Sequence, residues 1–333
     1  MNIAIVKLSS LGDVVHALPV AATLRARVRE ARITWLVEHR EAAILTGHPA
    51  LDEIITVDTR RWRQARSPGA LVAAGRAFAA LSRRLRAARF DVALDLQGLL
   101  KSGILMALTR APLRIGFQAR ACREPLGALF TNRRLARPAG RHVVEHYLSL
   151  LEPLGIGAPV LDFRLPVDQK AETRMDDVLA ASGLKPRDRL VVVNPGAGRP
   201  GKRWPVDRFR AVAHRLAREG EAHVLVVWGP GEESAARAIA DGGERSRVVL
   251  APRTDLFELI AVLRRASLLV AADTGPLHLA AAGGTPCLGI YGPTSPARNG
   301  PYGTGHRTLQ GHDGRVEAVG VDEVFGAALQ MLR

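Results

Sequence analysis

Short apolar segments alternate with longer amphipathic segments along the whole of the 333-residue chain. This alternation predicts parallel strands joined by helices, because a short apolar run fits a buried strand and apolar residues at helical spacing fit a helix packed on a sheet. The first half of the chain contains four predicted strands and the second half contains five. They are residues 2–6, 33–37, 54–57 and 92–96, and then 190–193, 224–228, 248–250, 268–272 and 287–291.

A segment containing several Gly and Pro residues separates the two series of strands. It surrounds a short predicted helix and includes Gly155, Gly157, Pro159, Pro166 and Pro186. Because these residues interrupt regular structure, we expect a domain boundary there. The expected domains are residues 1–165 and 186–320, with a linker over 166–185. Whether a final helix over 321–333 packs back on the first domain is left open.

Repeated strand–helix units predict an α/β fold of two Rossmann-like domains that face each other across a cleft. In a parallel sheet, ligands bind at the carboxyl ends of the strands. The loops that follow the strands are therefore where functional residues are expected. Two such halves suit an enzyme with two substrates.

The composition is that of a globular protein without a membrane-spanning segment. Hydrophobic residues make up 47% of the chain, and no apolar run reaches the ~20 residues that a spanning helix needs. The chain enters its first strand without the basic and apolar segments of a secretory signal, which predicts a cytoplasmic protein. Cys122 and Cys287 lie far apart without the spacing of metal ligands, so we expect a reducing compartment and two inert thiols.

The positive charge is concentrated in one segment. The chain has a formal net charge of +15, and residues 60–141 contain 18 Lys or Arg against three acidic residues, whereas the flanking regions nearly cancel. An anionic partner is expected, either a nucleic acid, an anionic membrane surface or a phosphorylated acceptor. Arginines that simply face solvent are the alternative. An aromatic content of 5% and the lack of a stacking or helix-turn-helix signature argue against nucleic acid.

A carboxylate lies at the first strand-to-helix turn. The turn reads Leu-Ser-Ser-Leu-Gly-Asp over residues 8–13, and a helical pattern begins at once. A phosphate loop at this position uses glycines and a bare helix N-terminus, and Asp13 would repel the anion. The pattern therefore favours a base or a cation ligand, with capping of the first helix as the alternative for Asp13.

The loop over residues 194–205 in the second half combines three features that bind anions. Its glycines allow backbone amides to approach a ligand, Pro205 lies where a helix should begin, and Lys202 and Arg203 add positive charge. These features predict a diphosphate site. An ordinary loop with solvated basic residues is the alternative.

Two further loops in the second half place acids at the ends of strands. Glu232 follows the strand at 224–228 and fits recognition of ribose hydroxyls. Asp273 precedes Thr274 and Gly275, whose hydroxyl and backbone amide suit a phosphate or a sugar. Helix capping is the alternative for Asp273, and His278 is as consistent with a buried structural histidine as with a ligand contact.

Together these residues resemble the bacterial lipopolysaccharide heptosyltransferases, which are inverting glycosyltransferases of the GT-B type. The resemblance covers nearly the whole chain and is most specific in residues 7–16, 202–205 and 273–278. Segments 60–63, 96–102 and 123–133 look like the acceptor half of the heptosyltransferase I branch. The loop at 194–198 departs from that branch and is more similar to heptosyltransferase II.

The resemblance implies ADP-L-glycero-D-manno-heptose as donor and the Kdo residue of Kdo-lipid A as acceptor, at the cytoplasmic face of the inner membrane, with neither metal nor other cofactor. The alternatives are a heptosyltransferase II-like or other-sugar transferase, a sugar-nucleotide epimerase of the same architecture, and a non-catalytic binder of nucleotide sugars. Asp13 becomes the expected general base, and Lys202 the expected cation for the leaving diphosphate. The expected donor contacts are Gly196, Ala197, Gly198, Lys202, Glu232, Asp273, Thr274, Gly275 and His278. The expected acceptor contacts are Ser9, Ser10, Arg60, Arg61, Arg63, Lys101, Arg120 and Arg123. Trp62 and Leu99 are expected to fill core, with contact to lipid as the alternative.

Overall fold

The computed structural model describes residues 1–185, 187–242 and 247–333. The chain divides into two compact units, Met1–Arg164 and Leu165–Arg333. Each unit is built on one parallel six-stranded sheet with helices between the strands, which confirms the α/β prediction. Pro186, where the second domain was expected to begin, lies outside the described residues.

The first unit has the strand order β3-β2-β1-β4-β5-β6. Its central strand β1 pairs with β2 on one side, Val6 opposite Leu36, and with β4 on the other, Val6 opposite Asp95. The strands are β1 (Asn2–Val6), β2 (Arg32–Glu38), β3 (Glu53–Val57), β4 (Val92–Asp95), β5 (Leu113–Phe117) and β6 (Arg133–Leu135). The helices are α1 (Leu11–Arg27), α2 (Thr59–Gln64), α3 (Pro68–Ala87), α4 (Leu100–Thr109) and α5 (Val143–Ser149), with 3-10 helices at His39–Leu45, Ala119–Ala121, Pro125–Phe130 and Glu152–Leu154.

The second unit repeats this topology, with the order β12-β11-β10-β7-β8-β9. Its strands are β7 (Leu190–Asn194), β8 (His223–Val226), β9 (Val248–Leu250), β10 (Leu268–Ala272), β11 (Cys287–Tyr291) and β12 (Arg307–Gln310). Its helices are α6 (Gln169–Ala181), α7 (Val206–Arg218), α8 (Glu233–Ala240), α9 (Leu256–Arg265), α10 (Gly275–Ala282), α11 (Pro296–Asn299) and α12 (Val321–Leu332). Further 3-10 helices lie at Pro200–Lys202, His312–Gly314 and Val316–Ala318.

The nine strands expected from the sequence are all present, and three more complete the sheets. Strands β6 and β12 form sheet edges, and β5 lies beside β6. Their sequences mix Arg, Thr, Gln and Gly with apolar residues. For β6 and β12 this composition is typical of an edge strand, which has less apolar surface to bury. The apolar pattern that marks a central parallel strand is consequently weak in them.

The segment expected as a linker contains α6, which packs on α9 within the second unit. Charged contacts join the two helices: Arg264 lies 3.0 Å from Glu172, and Arg174 pairs with Glu258. The final helix α12 packs on α7 in the same unit, where the Arg215 guanidinium lies 3.9 Å from the Phe325 ring centre. None of the helices formed by the described residues has both the length and the apolar character needed to span a bilayer.

Candidate active site

The strand order reverses once in each sheet, and the candidate residues follow the strands at those points. The reversal lies between β1 and β4 in the first unit and between β7 and β10 in the second. Connections leave such a pair of strands in opposite directions, so a crevice opens at their carboxyl ends. Asp13 lies beyond β1, the loop at 194–205 follows β7, and Asp273 follows β10.

Asp13 both caps the first helix and remains accessible. Its Oδ2 accepts hydrogen bonds from the Ser10 backbone amide at 3.2 Å and from Ser10 Oγ at 2.9 Å. Thirty-nine per cent of its side chain is nevertheless exposed. The expected capping contact and the expected reactive position are therefore compatible, since one oxygen serves the helix while the carboxylate still faces solvent.

Two buried residues that the sequence did not single out contact the other carboxylate oxygen. The Nζ of Lys7 lies 3.5 Å from Asp13 Oδ1, and the Tyr147 hydroxyl lies 3.2 Å from the same oxygen. Lys7 follows β1 directly and was recognised only as part of a motif, whereas Tyr147 belongs to α5 and carried no local signal. Burial acts to raise the pKa of Asp13, but the Lys7 ammonium and the hydrogen bonds from Ser10 hold that pKa below its ordinary value.

The loop after β4 holds the loop after β1 in place. Gln97 Oε1 accepts hydrogen bonds from the backbone amides of Leu8 at 2.9 Å and Ser9 at 3.1 Å. Asp95 shapes the Gln97 loop by accepting from the amides of Gln97 at 2.9 Å and Gly98 at 3.0 Å. Ser9 is thus positioned through its backbone, and the Ser9–Ser10 peptide bond is cis.

The expected acceptor arginines are exposed. Within the described part of the chain, their guanidinium groups form no ion pair. They are Arg60, Arg61 and Arg63 on α2, Arg120 in the 3-10 helix Ala119–Ala121, and Arg123 just beyond it.

Lys101 occupies a different environment, because its Nζ pairs with Glu38 at 2.8 Å and bonds Thr59 Oγ1 at 3.2 Å. This contact ties α4 to the start of α2. Trp62 is half-buried edge-on against Phe78, with ring centres 5.9 Å apart, and packs against the core as expected. Leu99 is also half-buried.

A buried tryptophan anchors the loop after β7. Trp204 is fully buried, packs edge-on against Phe209 at 4.9 Å and donates through its indole N–H to the Val319 carbonyl at 3.0 Å. Arg203 bonds the Ala197 carbonyl at 3.2 Å, so this side chain braces the loop. Helix α7 then begins at Val206, directly after Pro205.

The buried carboxylate of Asp273 contacts three polar side chains. Its Oδ2 accepts from Lys202 Nζ at 2.5 Å and from Thr294 Oγ1 at 2.7 Å, and its Oδ1 lies 3.5 Å from His278 Nε2. Burial opposes ionisation, but the hydrogen bonds from His278, Lys202 and Thr294 hold the pKa of Asp273 well below its usual range. Asp273 thereby fixes the Lys202 ammonium at the carboxyl edge of β10.

A cavity of about 300 Å³ opens beside this group. Glu232 forms part of its wall, accepting from the Gly229 amide at 2.9 Å. A β-carbon at Gly196 would collide with the Glu232 carboxylate, so a larger residue there would displace that carboxylate from its present position. The expected donor residues Lys202, Asp273 and His278 do not line this cavity within the described part of the chain. The expected donor residues that line the cavity are Gly196, Ala197, Gly198, Glu232, Thr274 and Gly275; Asn194, Trp228, Thr254 and Leu256 also line it.

In residues 1–185, 187–242 and 247–333, no three His, Cys, Asp or Glu side chains are grouped to hold a metal ion. Burial raises the pKa of both Cys122 and Cys287, which keeps the two thiols protonated at neutral pH.

Comparison with known proteins identifies the family. The model of glycosyltransferase family 9 (heptosyltransferase) matches residues 78–322. Lipopolysaccharide heptosyltransferase 1 of Escherichia coli K12 is 33% identical over 309 residues, covering 91% of each chain.

Solved structures agree with the sequence comparison. The E. coli heptosyltransferase WaaC with ADP superimposes with a TM-score of 0.81 at 29% identity, over 99% of this chain and 100% of that one. The same enzyme with ADP-2-deoxy-2-fluoro heptose gives 0.78 at 30% identity, over 99% of each chain. The chain therefore belongs to glycosyltransferase family 9, the heptosyltransferase family, and is a glycosyltransferase of the GT-B fold.

Proposed function

We propose that this protein transfers heptose from ADP-L-glycero-D-manno-heptose to the Kdo residue of Kdo-lipid A in lipopolysaccharide inner-core synthesis. The transfer inverts the anomeric centre and needs no metal. The observation that carries the proposal is the pair of sites at the two strand-order reversals: an accessible carboxylate after β1, and a cavity beside a fixed lysine after β7 and β10. The similarity to a heptosyltransferase solved with ADP and with a fluorinated ADP-heptose supports the choice of donor.

The donor binds in the cavity of the second unit. Glu232 accepts hydrogen bonds from the ribose hydroxyls, and the backbone amides over 196–198 and at the start of α10 receive the diphosphate. Lys202 neutralises the charge that grows on the diphosphate as the glycosidic bond breaks. Because Asp273 already holds its ammonium, Lys202 does not have to be ordered at the moment of reaction.

Asp13 removes the proton of the acceptor hydroxyl. The ionised carboxylate is the form that a base requires, and the contacts around Asp13 favour that form. The same contacts make it a weak base, so the proton moves only late, when the hydroxyl has begun to bond to the anomeric carbon.

Arginines and exposed leucines of the first unit bind the acceptor and the membrane surface around it. Arg60, Arg61 and Arg63 supply guanidinium groups for the carboxylate of Kdo and the phosphates of lipid A, which they bind in bidentate fashion. Leu126 and Leu129 are 62% and 67% exposed in the helix that follows Arg123, so apolar groups accompany the charge. This combination of basic and apolar groups suits peripheral attachment to an anionic bilayer.

ADP release from a panel of nucleotide sugars, with and without Kdo-lipid A, tests the reaction. We expect release only when ADP-heptose and the acceptor are both present, a product heavier by one heptose, and unchanged rates in EDTA. An epimerase would convert the nucleotide sugar without acceptor. Loss of turnover in EDTA with recovery in magnesium would refute the metal-free mechanism.

Replacing Asp13 with asparagine tests the base. Asp13→Asn is expected to lower turnover by about 100- to 10,000-fold, because general base catalysis supplies about that factor. ADP affinity, measured by calorimetry, is expected to remain, since Asp13 belongs to the other unit. The matched control is Asp168→Asn, a capping aspartate of α6 that accepts from Ala171 and has no catalytic role. Wild-type turnover in Asp13→Asn would remove the assignment.

Donor-side substitutions are expected to separate binding from catalysis. Glu232→Gln is expected to weaken ADP binding by about 10- to 100-fold, as for a hydrogen bond to a charged group. Lys202→Ala is expected to weaken donor binding and also to lower turnover by about 100- to 1,000-fold, because its contact strengthens in the transition state. The neighbouring Glu233 is exposed and bonded to Arg237 at 2.8 Å, so Glu233→Gln is the control. Equal ADP affinity in Glu232→Gln and Glu233→Gln would exclude the ribose contact.

Charge-matched triple variants distinguish a binding surface from solvated arginines. Replacing Arg60, Arg61 and Arg63 with glutamine is expected to weaken binding to vesicles of anionic phospholipid and Kdo-lipid A by roughly 1 kcal/mol per arginine, and wild-type binding is expected to fall with rising salt. The control replaces Arg76, Arg83 and Arg86 on the exposed face of α3. Equal losses in the two triple variants would show that net charge alone attracts the membrane.

A further inference from the structure

The Lys7 ammonium is buried in a place where a charge is costly. Its side chain is 2% exposed, and a buried ammonium is tolerated only when each of its donors is satisfied. Three acceptors surround Nζ: the Tyr147 hydroxyl at 2.8 Å, the Leu96 carbonyl at 3.3 Å and Asp13 Oδ1 at 3.5 Å. A methionine of similar shape would fill the same space without this cost, so packing alone does not account for the lysine.

The direction of the hydrogen bonds follows from the chemistry of the groups. An ammonium only donates, so the Tyr147 hydroxyl accepts from Lys7 and directs its own hydrogen to Asp13 Oδ1, 3.2 Å away. Ser10 donates twice to Oδ2. Both oxygens of Asp13 are therefore held from the protein side, while the exposed side of the carboxylate stays open to solvent.

We propose that Lys7 and Tyr147 are positioning residues that hold the Asp13 carboxylate ionised and in one orientation toward the acceptor hydroxyl. The inference rests on the proposed role of Asp13 as the base. Lys7 and Tyr147 act through Asp13, because the buried ammonium and the buried hydroxyl do not reach a substrate themselves. Fixing the carboxylate before the acceptor arrives removes the need to order it during the reaction.

The charges around Lys7 determine the expected direction of the pH effect. Burial lowers the pKa of Lys7, but Asp13 and Tyr147 leave it above its ordinary value, so the pair stays charged at neutral pH. Removing the ammonium removes an opposite charge from beside Asp13, and the pKa of Asp13 must then rise. Further titratable groups lie on the elements around Lys7: Asp95 of β4, Glu38 of β2 with its partner Lys101 of α4, His16 of α1, His142 just before α5, and Glu145 and His146 within α5.

The experiment measures kcat and kcat/KM for the acceptor against pH in Lys7→Met and Tyr147→Phe. Lys7→Met is expected to lower kcat by about 10- to 100-fold, as for a misplaced catalytic group, with the donor KM unchanged. The acid limb of kcat/KM is expected to move to higher pH. Tyr147→Phe removes one hydroxyl and leaves the packing in place, so it is expected to fold and to move the limb in the same direction by less.

Two control variants separate positioning from a loss of stability. Arg25→Met breaks the ion pair of Arg25 with Asp52 in the same unit, and Tyr302→Phe removes a hydroxyl from a half-buried tyrosine of the second unit. Both are expected to leave the acid limb at the wild-type pH. In an Asp13→Asn background, Lys7→Met and Tyr147→Phe are expected to add little further loss of turnover, because residues that act as one unit are not additive.

The results distinguish the positioning role of Lys7 and Tyr147 from the role of Asp13 as the base. An acid limb that stays at the wild-type pH in Tyr147→Phe and in Lys7→Met would overturn the positioning role and leave Asp13 as the base. Losses that multiply in full with Asp13→Asn would overturn it in the same way. Wild-type turnover in Asp13→Asn alone would instead remove the base assignment.

Discussion

The reversal of strand order in a parallel sheet is the constraint on which both sites depend. Where neighbouring strands send their connections to opposite faces, their carboxyl ends leave a crevice that no helix covers. The two units use this position in the same way, since each places candidate residues after its first and fourth strands. In each unit a side chain also joins the two loops: Gln97 holds the backbone at Leu8 and Ser9, and Thr274 lies 3.4 Å from Asn194.

Each unit contains one aspartate–lysine pair at this edge, but the two pairs are oriented oppositely toward solvent. Lys7 is buried and Asp13 is 39% exposed, whereas Asp273 is 7% exposed and Lys202 is 21% exposed. The accessible member is therefore the carboxylate in the first unit and the ammonium in the second. This difference matches the proposed chemistry, in which a base meets a hydroxyl proton and a cation meets a diphosphate.

The arginines of the first unit fall into two groups, those bonded within the fold and those exposed to solvent. Arg84 pairs with Glu53 at 2.6 Å, and Arg114 and Arg134 bond backbone carbonyls at Phe130 and Thr131, so these guanidinium groups are part of the structure. The arginines of α2 remain exposed. Composition alone shows the excess of charge, but only the fold separates structural arginines from exposed ones.

The sequence by itself determined the parallel architecture and the loops that contain the sites. The bounds of β1, β9, β10 and β11 follow from apolar periodicity, and the candidate residues Gly196, Lys202, Glu232 and Asp273 follow from their places after strands. These signals are local, because a buried strand and the loop after it are read from adjacent residues. The tertiary structure alone decided which side chains meet. Tyr147 reaches Asp13 across 134 residues of sequence and Thr294 reaches Asp273 across 21, since such contacts arise from the packing of whole helices and loops rather than from residue spacing.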